Sequence, residues 1–303
     1  MMQNPTIVYI LGAGHSGSTL LNFLLNGHSK VVGLNEVQEI RRYMGENARD
    51  DRLNDEFWQA VMQRYETISQ KPFRSAARIH WKKAPIWSKK DREKRKQRSA
   101  PDLVSQLLDW RKIRASDAQT FAAWTRRNQW LLSAIAAEAE ADFLVDASKT
   151  WQRLLLLQKS GCFKIKVIHL VRDGRAVINS YIRKYDSFSV GFKRWSNKAI
   201  AATVMRQQFF SEDWIKVRYE DLATQPETVL KELCHFLSID YEPDMLKFRQ
   251  HVYRGIRGNR MAEDPCSEKI IFDQKWKKEL SGFNQVRFQL LGGYLNRHLG
   301  YKI

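Results

Sequence analysis

Residues 11–21 read LGAGHSGSTLL and follow an apolar run, TIVYIL, at 6–11. The run is β-branched and aromatic, so it reads as a short buried strand. Thr19–Leu25 reads as the opening of a helix. Gly12 and Gly17 have the spacing of the triphosphate loop G-x-x-x-x-G-K-[ST], but Ser18 stands in the lysine place, with Thr19 after it. Strand, glycine turn and helix aim backbone N–H groups and the positive end of a helix dipole at an anion. Ser18 supplies no charge. The nearest is His15, whose protonated form a bound anion would favour. The loop therefore suits an anionic donor shorter than a triphosphate. The plain alternative is a glycine-rich turn that binds nothing.

The chain has 303 residues, 43% of them hydrophobic, enough for one large α/β domain. Its net charge of +18 predicts attraction to anions without choosing among nucleotide, nucleic acid, membrane surface and sulfated polymer. Cys162, Cys234 and Cys266 are too far apart to suggest a metal site or disulfide framework, which fits a reducing compartment. No signal-peptide pattern and no run of about 18 apolar residues is visible, so a cytoplasmic protein without a membrane span is expected.

Further along, residues 31–34 suggest a second strand. Residues 35–70 look helical, with Phe57, Trp58, Val61 and Tyr65 on a core face. Residues 82–98 carry nine bases against two acids. They lie in a basic insert at about 70–115, read as a solvated segment, a lid, or a patch for an acidic acceptor or membrane surface. No interleaved aromatics point to specific nucleic-acid binding. Residues 101–140 read as two helices, 141–145 as a strand ending at Asp146, and 151–159 as a helix. KIKVIHLV (164–171) is the clearest strand, and 175–184 the helix after it. WIKVR (214–218) is another strand, and 228–237 another helix. Alternating strands and helices imply a central parallel sheet flanked by helices, formed by residues 1–303 as one domain. Ligands gather beyond the carboxyl ends of such strands. The loop at 12–19, Asp146–Lys149, Arg172–Asp173 and Tyr219–Asp221 all fall at such ends.

Three segments carry a resemblance: GHSGSTLLNFLLNGH, LVRDGRAVINSY and VRYEDLATQPETVLKELCHFL. They resemble the sulfotransferases that use 3′-phosphoadenosine 5′-phosphosulfate (PAPS), in the family's order and at about its spacing. The resemblance implies a phosphate-loop-type fold and sulfuryl transfer from PAPS to a hydroxyl or amine, leaving 3′-phosphoadenosine 5′-phosphate (PAP), with no metal. It implies that Gly14, His15, Ser16, Gly17, Ser18 and Thr19 hold the 5′-phosphosulfate. Arg172 and Ser180 would hold the 3′-phosphate, and Tyr219 would pack near adenine. Arg257, Asn259 and Arg260, in HVYRGIRGNRM, resemble a late basic loop over the 3′-phosphate. His15 stands where many members have lysine or arginine, which makes donor binding pH-dependent in expectation. The family's lysine after the second strand is displaced here, and the resemblance assigns its donor-site role to Lys149, three residues after Asp146.

For the base, Glu36 resembles the glutamate of the tyrosylprotein and bacterial-type branch, with Glu39 in reserve. A partly desolvated carboxylate beside the reacting oxygen can take its proton. Glu36 could instead serve a helix N-terminus, and His28 reads as a structural histidine. The acceptor is left as a small molecule, glycan or lipid. Two other readings stay open. A phosphate-loop kinase would need a Mg-binding acid such as Asp146. A non-enzymatic polyanion or nucleic-acid binder would need only the charge.

Overall fold

The computed structural model describes residues 4–45, 48, 51–80, 118–256 and 269–302. The basic stretch 82–98 and the trio Arg257, Asn259 and Arg260 lie outside the described residues.

Among the described residues five parallel strands form the centre: β1 (Thr6–Gly12), β2 (Val31–Asn35), β3 (Phe143–Asp146), β4 (Ile165–Val171) and β5 (Trp214–Arg218). Their spatial order is β2-β3-β1-β4-β5. Thr6 pairs with Phe143 on one side of β1, and Ile7 pairs with Ile165 on the other. Every residue of β4, and all of β1 after Thr6, is buried, as both-face coverage of a parallel sheet requires. Alternation along β1 divides the core. Ile7, Tyr9 and Leu11 face α2 (Glu56–Ser69), α3 (Ala118–Glu138) and α4 (Trp151–Lys159). Val8 and Ile10 face α1 (Ser18–Asn26) and α8 (Pro226–Leu237). Phe57, Trp58, Val61 and Tyr65 are core residues of the first layer.

The helix expected across 35–70 is not continuous: its described residues form two short 3₁₀ segments, Val37–Tyr43 and Arg52–Asn54, and then α2. Val37–Tyr43 forms tight 3₁₀ turns, Gly45 takes φ +78°, and α2 starts afresh with Asp55 accepting from the Trp58 amide at 2.8 Å. Glycine at positive φ interrupts what the apolar periodicity alone would continue. After α5 (Gly174–Tyr185), helix α6 (Phe188–Arg206) packs back against it. The short α7 (Tyr219–Thr224) leaves β5 directly, and α9 (Gly282–His298) closes the fold against α5 and α6. Strand order reverses at β1, whose carboxyl end lies between those of β3 and β4. Such a switch point leaves a crevice at the strand ends.

Among the described residues no helix is long and apolar enough to cross a membrane.

Candidate active site

The loop after β1 is shaped by contacts with little room for side chains. Gly17 has φ +87°, and a Cβ there would lie 2.5 Å from the Tyr219 ring. A Cβ at Gly14 would lie 2.5 Å from the Tyr181 hydroxyl. Gly17 also occupies the N-cap of α1, where no side chain caps the helix and no acid sits in its first turn. The first amides of α1 are thus left for an external acceptor.

His15 also adopts positive φ, 63°. Burial, followed by the positive charges of Lys184, Arg172, Lys149 and Arg194, lowers its pKa to about 4. The expectation that a bound anion would favour the protonated form concerns the liganded loop. In the protein alone His15 is neutral at pH 7, because burial and four cations all oppose its proton.

Arg172, at the end of β4, is buried and organises the loop. Its Nη1 donates to the His15 carbonyl at 2.8 Å. Its Nη2 donates to the Asp273 carbonyl at 2.9 Å and meets the Asp273 carboxylate at 3.1 Å. Nε has no partner among the described residues. The guanidinium lies 4.2 Å from the Tyr219 ring centre. Tyr219 is only 5% exposed. Its hydroxyl donates to the Ile271 carbonyl and accepts from the Asp273 amide, both at 3.1 Å. It therefore backs the loop and Arg172 from behind. Asp173 does not take Arg172: it caps α5 and pairs with Arg175 at 2.6 Å. Ser180, half-buried on α5, donates to the Ala176 carbonyl at 3.0 Å.

On the other side of the loop, Glu36 and Lys149 form an ion pair at 2.8 Å. Glu36 follows β2, and its amide donates to the Ile256 carbonyl at 2.9 Å. Its carboxylate makes no cap for the turn it precedes. Lys149 follows β3 with φ +56°, and Asn35 beside Glu36 has φ +52°. Strained backbone of this kind concentrates at functional sites. A residue that sequence reasoning missed joins them. Lys198, on α6, donates to the Lys149 carbonyl. Burial and the neighbouring Lys149 push its ammonium down to about 8, against the pull of Glu36. In sequence Lys198 is one lysine among many on a mixed helix, and only the packing of α6 onto the loop distinguishes it. Loop, ion pair and Lys198 surround one cavity of about 500 Å³. The Ser148 hydroxyl, also in its lining, is buried with no partner among the described residues.

Other candidates are engaged elsewhere. Asp146 receives Arg153 at 2.7 Å, with Arg153 fully buried, and the Ser148 amide at 2.9 Å. Both carboxylate oxygens of Asp146, the acid that the kinase alternative would need, are thereby engaged. Glu39 meets Arg42 at 2.6 Å and His80 at 3.3 Å. His28 is buried, with Nε2 2.9 Å from the Asp240 carbonyl and Nδ1 accepting from the Lys30 amide at 3.0 Å. Both its nitrogens are satisfied, which makes it structural. Among the described residues no three His, Cys, Asp or Glu side chains group as a metal site would require.

Residues 5–243 match the family model described as "Sulfotransferase family". The fold is similar to the sulfotransferase domain of the Synechococcus PCC 7002 olefin synthase, at 19% identity and TM-score 0.56, covering 99% of this chain and 97% of that one. It is also similar to the sulfotransferase domain from the curacin biosynthetic pathway, at 19% identity and TM-score 0.51, covering 95% and 97%. None of the curated proteins matches the sequence.

Proposed function

The chain belongs to the sulfotransferase family, and from that premise we propose that it transfers a sulfuryl group from PAPS to a hydroxyl- or amine-bearing small molecule, glycan or lipid. The observation that carries the reading is the convergence of the lysine-less loop, buried Arg172 and the Glu36–Lys149 pair at the carboxyl ends of one parallel sheet. Bound PAPS would supply an activated sulfuryl group on a bisphosphate leaving group. The amides from Ser16 to Thr19 would hold its 5′ end, with the α1 dipole adding to the attraction. Arg172 would grip the 3′-phosphate, an anion competing with Asp273 for the same guanidinium, and Ser180 would turn its hydroxyl from Ala176 to help. Gly14 and Gly17 keep the loop low over Tyr181 and Tyr219, so Tyr219 would act by positioning the loop and Arg172.

Glu36 would take the proton of the acceptor as the new S–O or S–N bond forms and the bond to the leaving phosphate breaks. Lys149, released from Glu36 by the protonation, would then offer its charge to the leaving oxygen. Lys198 would hold Lys149 in place through its carbonyl. His15 would be a neutral donor to the transferring group and would gain a proton as anionic charge accumulates. Arg257, Asn259 and Arg260 are proposed to add to the 3′-phosphate site, and the basic insert to meet an acidic acceptor or a membrane surface at its periphery. A cytoplasmic location accords with the cysteine usage.

Calorimetric titration with PAP in the absence of magnesium, beside Mg-ATP, tests the reading. Tight PAP binding that collapses in Arg172→Ala is expected. Binding of Mg-ATP but not PAP would overturn it.

A further inference from the structure

One wall of the cavity runs outward from His15 through side chains that the donor contacts above leave unused. From the loop outward, the His15 ring stands edge-on to Tyr181 with centroids 4.7 Å apart. Tyr181 stacks on Tyr185, one helical turn further along α5, at 5.9 Å. Asp186, at φ +50°, ends α5, and Ser187 caps α6, so the two helices fold back on each other. That reversal lays the Arg194 guanidinium 5.3 Å from the Tyr181 ring and 4.9 Å from the Tyr185 ring. The Lys184 ammonium lies 5.3 Å from Tyr185. Tyr185 is 43% exposed, so the ladder runs from the loop to the open mouth.

The charge balance of this wall is unusual for the site. Lys149 has Glu36, and Arg172 has Asp273. Among the described residues no carboxylate pairs with Lys184 or Arg194; their contacts are aromatic faces and a phenol oxygen. Both line the same cavity as Glu36, the one acid among the described residues of its lining. Two cations held over rings, with no paired carboxylate among the described residues and facing a cavity, form a receptor for an external anion beside a flat surface.

We infer that Tyr181, Tyr185, Lys184 and Arg194 form an acceptor subsite selecting hydroxyl compounds that pair a planar or apolar body with an anionic group. The body lies along the two tyrosine rings, the anion meets Lys184 and Arg194 at the mouth, and the hydroxyl is directed inward to Glu36. The inference rests on the sulfuryl-transfer reading for its inner end, but not for the anion preference itself.

The test uses a matched fluorescent pair, umbelliferone carboxylate and umbelliferone carboxamide. Binding is followed by anisotropy on the protein alone and on the protein saturated with PAP. The carboxylate is expected to bind about tenfold tighter than the carboxamide. In Lys184→Met/Arg194→Met, which keeps the apolar stems, the two probes should bind within about twofold of each other. PAP affinity and carboxamide binding should stay at wild-type values. Equal binding of the pair to the wild-type protein overturns the subsite, and needs no variant to fold. A double variant that loses PAP affinity while keeping the carboxylate preference also overturns it, and assigns the cations to the donor. Failure to bind PAP, with the carboxylate preference intact on the protein alone, would sink the sulfuryl-transfer reading and leave the anion subsite standing.

Discussion

In the proposed reaction, Glu36 and His15 are the residues whose protonation matters most. Replacing Glu36 by Gln keeps the shape of the cavity wall and removes the proposed proton acceptor. Turnover should fall by about 10²–10⁴-fold while calorimetry finds PAP affinity preserved. A loss of PAP affinity with little further loss of turnover would make Glu36 a binding residue instead. His15 and His169 both have pKa values lowered to about 4 from 6.5, chiefly by burial. Above 6.5 folded and unfolded chains both hold neutral imidazoles there. Between 6.5 and about 4 the unfolded chain takes up protons that the folded protein excludes. Stability is present above this window and lost as pH falls through it. Melting temperature should therefore fall from pH 6.5 downward, and more gently in His169→Gln.

At the scale of the element, the strand–loop–helix unit depends on glycine for two separate reasons. Gly17 needs positive φ, and it needs no side chain against Tyr219. Gly17→Ala should cost about 1–2 kcal/mol from backbone conformation alone, before the ring contact is counted. Chemical denaturation should show at least that loss, with PAP binding reduced more than proportionally because the loop must rise. Gly14 meets Tyr181 in the same way, so α5 and the loop are set against each other.

Across the whole molecule, residues beyond the matched stretch 5–243 hold the site together. Asn296 on α9 accepts from the Gly174 amide at 2.9 Å, and Tyr301 donates to Glu220 at 2.6 Å. Phe288, Leu299 and Tyr301 pack with Ala13 and Val171, which flank the loop and Arg172. Asn296→Ala leaves the buried Gly174 amide unpaired and should cost about 1–3 kcal/mol in denaturant unfolding, with weaker PAP binding though Asn296 lines no part of the cavity. The Arg153–Asp146 pair is a second long-range tie, since Arg153 also donates to the Ile79 carbonyl and to Asn128. Arg153→Met should cost about 3–5 kcal/mol by stranding the Asp146 charge, and Arg153→Met/Asp146→Leu should recover much of it.

Local pattern was enough to show the strand–glycine–helix unit, the five strands, the parallel α/β class and the segments that meet at the strand ends. Backbone state and face alternation are encoded over a few residues, and TIVYIL with Gly12 and Gly17 carries both. The electrostatic condition of the site was not legible. Glu36 meets a lysine 113 positions away, Arg172 meets an aspartate 101 positions away, and Lys198 and Arg194 come from a helix whose sequence carries no motif. Whether His15 is charged, whether Asp146 is available to a metal, and which cations lack partners all depend on burial and on neighbours brought from distant segments. Only the tertiary structure decides these, because desolvation and Coulomb terms follow distance in space.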